Sequence, residues 1–155
     1  MQNTKDTFYL ALRDRLALRN PTRTCVVRGQ TRPAVLVEEN ELPTAEAPES
    51  VYRLRWTKRT TDLQQPMPLD TALCEIRYRT TPYELDRGRE IDAMDLDLDA
   101  ILQPRAIAKR SFSSTGATTL QTNLFWQETE ARTTTKDGDR LAIIAVSAYR
   151  EEGDL

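Results

Sequence analysis

The apolar residues near the C-terminus predict the strand around which the fold is organised. The run from Leu141 to Val146 is apolar at both parities of a β-strand, so we expect both of its faces to be covered and the strand to lie inside a sheet. A second β-prone run, Leu124 to Trp126, precedes it, and the turn signal Asp137-Gly138 lies between them. Two such runs joined across Asp-Gly predict a β-hairpin.

Strict alternation predicts two further strands, at residues 51–59 and 73–80. In each segment the apolar side chains fall on one face and the arginines on the other, which is typical of half-buried antiparallel strands. Two short strands are also expected upstream, at Thr24 to Arg28 and Ala34 to Glu39, with a turn at residues 29–33 between them.

Helical spacing of apolar residues predicts two helices, at residues 4–18 and 86–103. Phe8, Leu12 and Leu16 form the stripe of the first, and Met94 and Leu98 lie on that of the second. Loops are expected at residues 40–50, at residues 61–70 and at residues 105–119, the last a mobile one. The order predicts one domain over residues 1–155 with an α+β fold, a mixed and mostly antiparallel sheet with two main helices packed on it.

Composition restricts the chemistry that this domain can perform. The 155 residues include no histidine, which excludes Ser-His-Asp and Cys-His sites, a histidine base and a His-ligated metal. Asp92, Asp95 and Asp99 share one helical face and could gather a divalent cation, but a solvated helix face is the favoured interpretation. The residues therefore offer no catalytic motif, although carboxylate chemistry remains possible, and we expect no metal and no cofactor.

Charge and hydropathy indicate where the protein is made and what it does not bind. The net charge of −2 gives no reason to expect a specific nucleic-acid partner. The charged N-terminal residues are unlike a signal peptide, and the apolar run from Leu141 to Val146 is too short to span a bilayer. Cys25 and Cys74 show no metal or redox spacing and are expected to be small buried hydrophobes in a reducing compartment.

Arginines would line one face of the sheet if the two alternating strands are neighbours. Like charges on adjacent strands repel, so acids must lie close to them. Glu38, Glu75 or Glu128 could supply these acids within the chain, or an acidic partner could meet this face. Both interpretations stay open for the set Arg53, Arg55, Arg77 and Arg79.

The order of these elements resembles that of the tail terminator, or tail completion, proteins of long-tailed bacteriophages, typified by the lambda terminator. The segments that carry the resemblance are "FYLALRDRL", "PAVLVEEN", "ALCEIRYRTT", "EIDAMDLDLDAILQP" and "LFWQETEARTTTKDGDRLAIIAVSAYRE". The resemblance extends over most of the chain. It lies in the order of the elements, and no invariant motif carries it.

The resemblance implies a structural protein without catalytic residues, whose subunits close into a ring, most often a hexamer. Such a ring caps the tail tube protein and offers a docking surface to the head-tail connector protein. It would be found in the virion tail or neck, and in the host cytoplasm during assembly. The candidate interface residues are the four arginines together with three basic residues of the third loop, Arg105, Lys109 and Arg110.

Two other functions remain possible from the sequence. One is a different neck, connector or baseplate component of a phage or phage-like particle. The other is an unrelated small binding domain or enzyme, because fold-level analogy is a weak guide to function. An apolar pocket with convergent polar groups would favour this second alternative, and a flat surface with two patches would disfavour it.

Overall fold

The computed structural model describes residues 1–41, 48–113 and 116–154 and shows an α+β fold. Two helices are long and two are single turns. The helices are α1 (Gln2–Arg19), α2 (Glu38–Glu41), α3 (Tyr83–Asp86) and α4 (Arg89–Ile101). The strands are β1 (Thr24–Val27), β2 (Gln30–Pro33), β3 (Val35–Val37), β4 (Tyr52–Asp62), β5 (Leu69–Tyr78), β6 (Ala106–Ser111), β7 (Thr118–Glu128), β8 (Thr133–Thr134) and β9 (Arg140–Tyr149).

The main sheet has seven strands in the order β3-β4-β5-β9-β7-β6, with β8 also paired to β9. Only the β3–β4 pair is parallel, so the sheet is mixed and mostly antiparallel, as the sequence predicts. The strand that contains Leu141 to Val146 lies between β5 and β7, which confirms its predicted interior position. β1 and β2 form a separate two-stranded sheet.

The long helices α1 and α4 pack on the same face of the main sheet. Phe8 of α1 makes edge-to-face contacts with Trp56 and Trp126, at centroid distances of 5.9 and 5.2 Å. On the α4 side, the Tyr52 hydroxyl donates to the Met94 carbonyl at 2.6 Å, and Trp126 Nε1 donates to the Leu102 carbonyl at 3.1 Å. These tyrosine and tryptophan side chains all project from one side of their strands.

The expectation that β9 is covered on both faces is therefore wrong. Ala142, Ile144 and Val146 are buried beneath the helices, whereas Ile143 and Ala145 project to the other side and are only half-buried. The long helices α1 and α4 do not cover that side, where Glu38 of the single-turn helix α2 contacts Arg53 at 3.6 Å. The run is apolar on both faces of the strand, but the fold completely buries only the face that carries Ala142, Ile144 and Val146.

The Asp137-Gly138 turn joins β8 to β9, which corrects the predicted hairpin. Gly138 has a φ of +84° there, a conformation that favours glycine. β7 does pair with β9, from Leu124 opposite Ala148 to Glu128 opposite Ile144. Its connection to β9 is longer than predicted, because β8 lies within it.

Three segments expected to be turns or loops contain strands. Residues 30–33 form β2, reached from β1 by a two-residue turn at Arg28 and Gly29, both with positive φ. The linker predicted at residues 61–70 is only residues 63–68, because β4 and β5 extend into it. The segment at residues 105–119 contains β6 and the start of β7, so its description as a mobile loop was wrong.

Local contacts explain the differences at the remaining predicted elements. Thr7 and Asn3 of α1 accept hydrogen bonds from the backbone N–H groups of Arg110 and Phe112, which holds β6 in place.

The second helix begins at Arg89 and not at residue 86, because the chain turns through positive φ before it. Of the loop predicted at residues 40–50, residues 42–47 lie outside the described part of the chain.

None of the described helices is long and apolar enough to cross a membrane.

We expect Phe8→Ala to lower the free energy of unfolding by about 3–5 kcal/mol, because it removes a fully buried ring packed between two tryptophans. Leu18→Ala on the same helix is the matched control, since Leu18 is 86% exposed and should change stability by less than about 0.5 kcal/mol. Urea unfolding followed by tryptophan fluorescence measures both. Equal effects of the two substitutions would contradict this account of the core.

Candidate assembly surfaces

Three of the four strand arginines are engaged by acids of the same chain. Arg53 is buried and binds Asp139 at 2.7 Å and Glu38 at 3.6 Å. Arg79 Nε donates to the other oxygen of Asp139 at 2.6 Å, and Arg77 pairs with Glu75 at 3.1 Å. The internal network is thus the arrangement that these three residues adopt.

Arg55 is the member of the set that remains available to a partner. Its side chain is exposed and makes no ion pair with any residue that the structure describes. It lies opposite Glu75 in the β4–β5 register, but Glu75 is bound to Arg77. An external acidic group could therefore approach Arg55.

The acid that joins Arg53 to Arg79 was missed in the sequence. Glu38 and Glu75 bind arginines as expected, but Glu128 pairs with Arg132, and the central carboxylate is Asp139. Burial opposes the charge of Asp139, yet hydrogen bonds from Arg79 and Arg53 outweigh it and lower the pKa of this carboxyl. Its position directly after the Asp137-Gly138 turn was a signal, but only the β4–β5 and β5–β9 pairings bring Asp139 close to Arg53.

The three basic residues at 105–110 differ in their availability. Lys109 is completely buried, with its ammonium group bound to the Asp154 carboxylate and, at 2.8 Å, to the Tyr149 carbonyl. It anchors the C-terminal segment and is withdrawn as an interface candidate. Arg105 is half-buried, and Arg110 is exposed with its guanidinium 5.4 Å from the Phe112 ring.

Asp95, Asp97 and Asp99 of α4 form ion pairs, whereas Asp92 is exposed and forms none with a described residue. Asp95 accepts hydrogen bonds from Tyr78 and from Arg140, and Asp99 binds Arg132. Burial, together with the bond to Asp95, raises the pKa of Tyr78 above its ordinary value. Within the described part of the chain, no three acidic or cysteine side chains are grouped to hold a metal.

The sheet surface opposite α1 and α4, here called the helix-free face, is the face on which the sequence placed the arginines, but its apolar centre was not anticipated. At its centre Ile143 lies opposite Glu75, and Ala145 lies opposite Leu73 and Gln127. These apolar side chains are half-buried, and Phe125 at the β7 side is 40% exposed. Apolar surface rimmed by polar residues is typical of a protein-protein interaction site.

A groove of about 640 Å³ opens where β5 ends and β9 begins, and is called the end groove. Ile91 and Pro82 form part of the apolar wall of the groove. Its two arginines, Arg79 and Arg140, are paired to Asp139 and Asp95. Its size lies in the range of pockets that accept a small molecule or an inserted side chain.

The other end of β5 carries the β4–β5 tip, residues 57–68. Its strand residues from Thr57 to Asp62 are exposed at every position. Two apolar side chains in the turn are exposed as well, Leu63 at 72% and Met67 at 39%. The tip therefore projects from the body of the domain.

A buried aspartate holds the base of the tip to the C-terminal segment. Asp70 is 2% exposed and accepts hydrogen bonds from Arg150 at 2.9 and 3.1 Å, from Arg59 at 3.2 Å and from Thr61. Burial raises the pKa of Asp70, but these hydrogen bonds outweigh burial and lower it to about 2.

No protein-family model matches this sequence, and no curated protein matches it significantly.

We expect Asp139→Ala to cost about 3–5 kcal/mol of stability, because it leaves the buried Arg53 guanidinium without its closest carboxylate. Arg55→Ala is the control, since an exposed arginine without an ion pair should contribute less than about 0.5 kcal/mol. Chemical unfolding at neutral pH measures both. A loss of less than about 1 kcal/mol in Asp139→Ala would contradict a structural role for this network.

We expect Asp70 to make the protein acid-sensitive in a defined pH window. Because its folded-state pKa of about 2 lies below the ordinary value of 3.8, its stabilisation is present above about pH 4 and is lost as pH falls through that interval. Asp70→Asn should be less stable at pH 7 and should show a shallower loss of stability between pH 4 and 2. Thermal unfolding at several pH values tests this, and parallel curves for the two proteins would contradict it.

Proposed function

We propose that this protein is a structural subunit of a phage tail, a tail terminator that forms a ring on the end of the tail tube. The single observation that carries the proposal is the helix-free face, with Ile143, Ala145 and Phe125 left partly open to solvent. Antiparallel sheets often leave one face to water, but apolar side chains rimmed by polar ones on that face are typical of a surface that a partner covers.

The surfaces of the domain suit the geometry of a ring. A ring of identical subunits uses heterologous contacts, in which two different patches of each chain meet. The helix-free face, the end groove and the β4–β5 tip are three different surfaces of one chain. Together they offer one contact surface for the neighbouring subunit on each side and a third contact surface for the tube.

In this proposal the partners are further copies of the chain, the tail tube protein and the head-tail connector protein. The ring ends polymerisation of the tube and then receives the connector. It assembles in the host cytoplasm and remains in the tail or neck of the virion. The sequence resemblance supports these roles, and a different neck or baseplate component would use the same kinds of surface.

A small binding domain is the second candidate, and the end groove favours it. The groove combines apolar wall with two fixed guanidinium groups, Arg79 and Arg140. Apolar walls with a few convergent polar groups are typical of ligand pockets. If a ligand binds there, the end groove and not the helix-free face is the functional surface.

We expect the purified protein to form closed hexameric rings at high concentration, and Phe125→Ser to weaken assembly by about 10- to 100-fold, since burying a phenylalanine contributes about 1.5–3 kcal/mol. Leu96→Ser is the control, because Leu96 is also exposed, at 62%, but lies on α4 beside the other face of the sheet. Sedimentation velocity, native mass spectrometry and negative-stain microscopy measure the ring.

Both variants should melt at nearly the wild-type temperature. Assembly of Phe125→Ser at wild-type concentrations would remove the helix-free face from the mechanism. Closed dimers as the only oligomer, with or without tail tubes present, would contradict the proposed function.

A further inference from the structure

The unpaired charge in the lining of the end groove is negative. Its two arginines are already engaged, because Arg79 Nε donates to Asp139 at 2.6 Å and Arg140 donates to Asp95 at 3.1 Å. The carboxylates of the lining are exposed and make no ion pair with any residue that the structure describes. They belong to Glu49, Glu84, Asp92 and Asp137.

Basic residues that are close to the groove in sequence do not line it. Arg87, Arg89 and Lys136 are exposed, and none of them belongs to the lining. Their charges lie in water, where salt screens them over about 10 Å. A group that enters the groove therefore meets the carboxylates directly, and a cation is favoured over an anion.

The walls of the groove determine what can carry this cation. Most of the lining is exposed, including Thr81, Pro82 and Gly138, so the groove is a trough and not an enclosed cavity. A small molecule in a well-formed pocket buries about 70–90% of its surface. An open trough leaves more of a free ligand in water, whereas a side chain that belongs to a larger partner also gains contacts around the groove.

The apolar part of the wall matches the stem of a basic side chain. Ile91 is half-buried and Pro82 is exposed in the lining. Lysine and arginine cover apolar surface with their methylene stems while their charged ends stay at polar groups. A stem on this wall leads to a charged end at the carboxylates.

We propose that the end groove receives a lysine or arginine side chain from a segment of a basic partner protein. The stem packs against Ile91 and Pro82, and the charged end lies among the carboxylates of Glu84, Asp92 and Asp137. The inference goes beyond the proposed function, because the groove would bind such a segment whether or not the subunits form a ring.

Titration with two short blocked peptides tests the sign of the charge that the groove accepts. One peptide alternates leucine with arginine, and the other has glutamate in place of arginine. In amide NMR spectra the basic peptide should shift the signals of Thr81, Gly88 and Gly138, which line the groove, and the acidic peptide should not. Equal or larger shifts from the acidic peptide, or no shift at these residues at the highest soluble concentration, would overturn the inference.

A matched pair of variants tests whether the groove carboxylates bind the peptide. Glu84→Gln/Asp92→Asn should weaken binding of the basic peptide by about 3- to 10-fold, the effect expected for two exposed ion pairs, at unchanged melting temperature. The control is Asp14→Asn/Glu130→Gln, which removes two exposed acids outside the groove and should leave binding unchanged. Equal weakening in the control would overturn the inference, because the peptide would then respond only to the overall charge.

Two further measurements separate the partner segment from other occupants. Butylguanidine that binds the groove as tightly as the peptide would assign the groove to a free small cation. Self-association that weakens in Glu84→Gln/Asp92→Asn, measured by sedimentation velocity, would assign it to a second copy of this chain. Either result would overturn the partner segment.

The outcomes for the groove and for the ring are distinguishable. A basic peptide that fails to bind overturns the inference and leaves the proposed ring standing, since the ring is measured without peptide through Phe125→Ser. A basic peptide that binds at the groove upholds the inference even where no ring forms.

Discussion

Phe8 lies edge-on between Trp56 of β4 and Trp126 of β7, and the arrangement of the whole domain follows from this contact. The two tryptophans belong to strands separated by β5 and β9, so one ring fixes α1 across the centre of the sheet. Arg15 then joins α1 to the end of α4 through hydrogen bonds of 3.0 and 2.9 Å to the carbonyls of Ile101 and Pro104. Both long helices are thereby confined to one face. The other face of the sheet is covered by neither of these helices, and it is the surface that the proposed assembly would use.

Among the described residues, Asp70, Asp95, Asp97 and Asp139 each pair with two arginines. Asp97 accepts hydrogen bonds from Arg19, Asn20 and Arg23, and Asp70 and Asp139 bridge arginines from separate segments. The planar arginine fork suits such fixed pairs. A buried pair adds little net stability, but loss of one member is costly, so these networks specify how segments dock. Since Arg53, Arg77 and Arg79 are paired with acids, Arg55 is the member of the strand set whose charge a partner would meet without an internal ion pair to a described residue.

The sequence predicted well what depends on local pattern and poorly what depends on pairing between distant segments. Apolar periodicity located the helices that contain Phe8 and Met94, and the run at Leu141 to Val146 identified an interior strand. The strand at Ala106–Ser111 was not predicted, because its apolar and polar residues do not alternate. Pairing with β7 and contacts to α1 hold this strand in place. Lys109 appeared to be a surface cation because nothing local indicates that Asp154 lies beside it. For the same reason, three of the four predicted interface arginines have partners within the chain.

The edges of the sheet indicate how association is directed toward side chains and away from strand pairing. At one edge, α1 covers β6 through Thr7 and Asn3. At the other, β3 pairs with Tyr52 to Leu54, and the rest of β4 has no described strand on its outer side. An open strand edge invites indefinite edge-to-edge growth, but this one carries a bulge between Trp56 and Lys58 followed by Arg59. Bulges and charges of this kind oppose strand pairing. In the proposed ring, protection of this kind directs association toward side-chain surfaces of fixed geometry, which favours a closed assembly over a fibre.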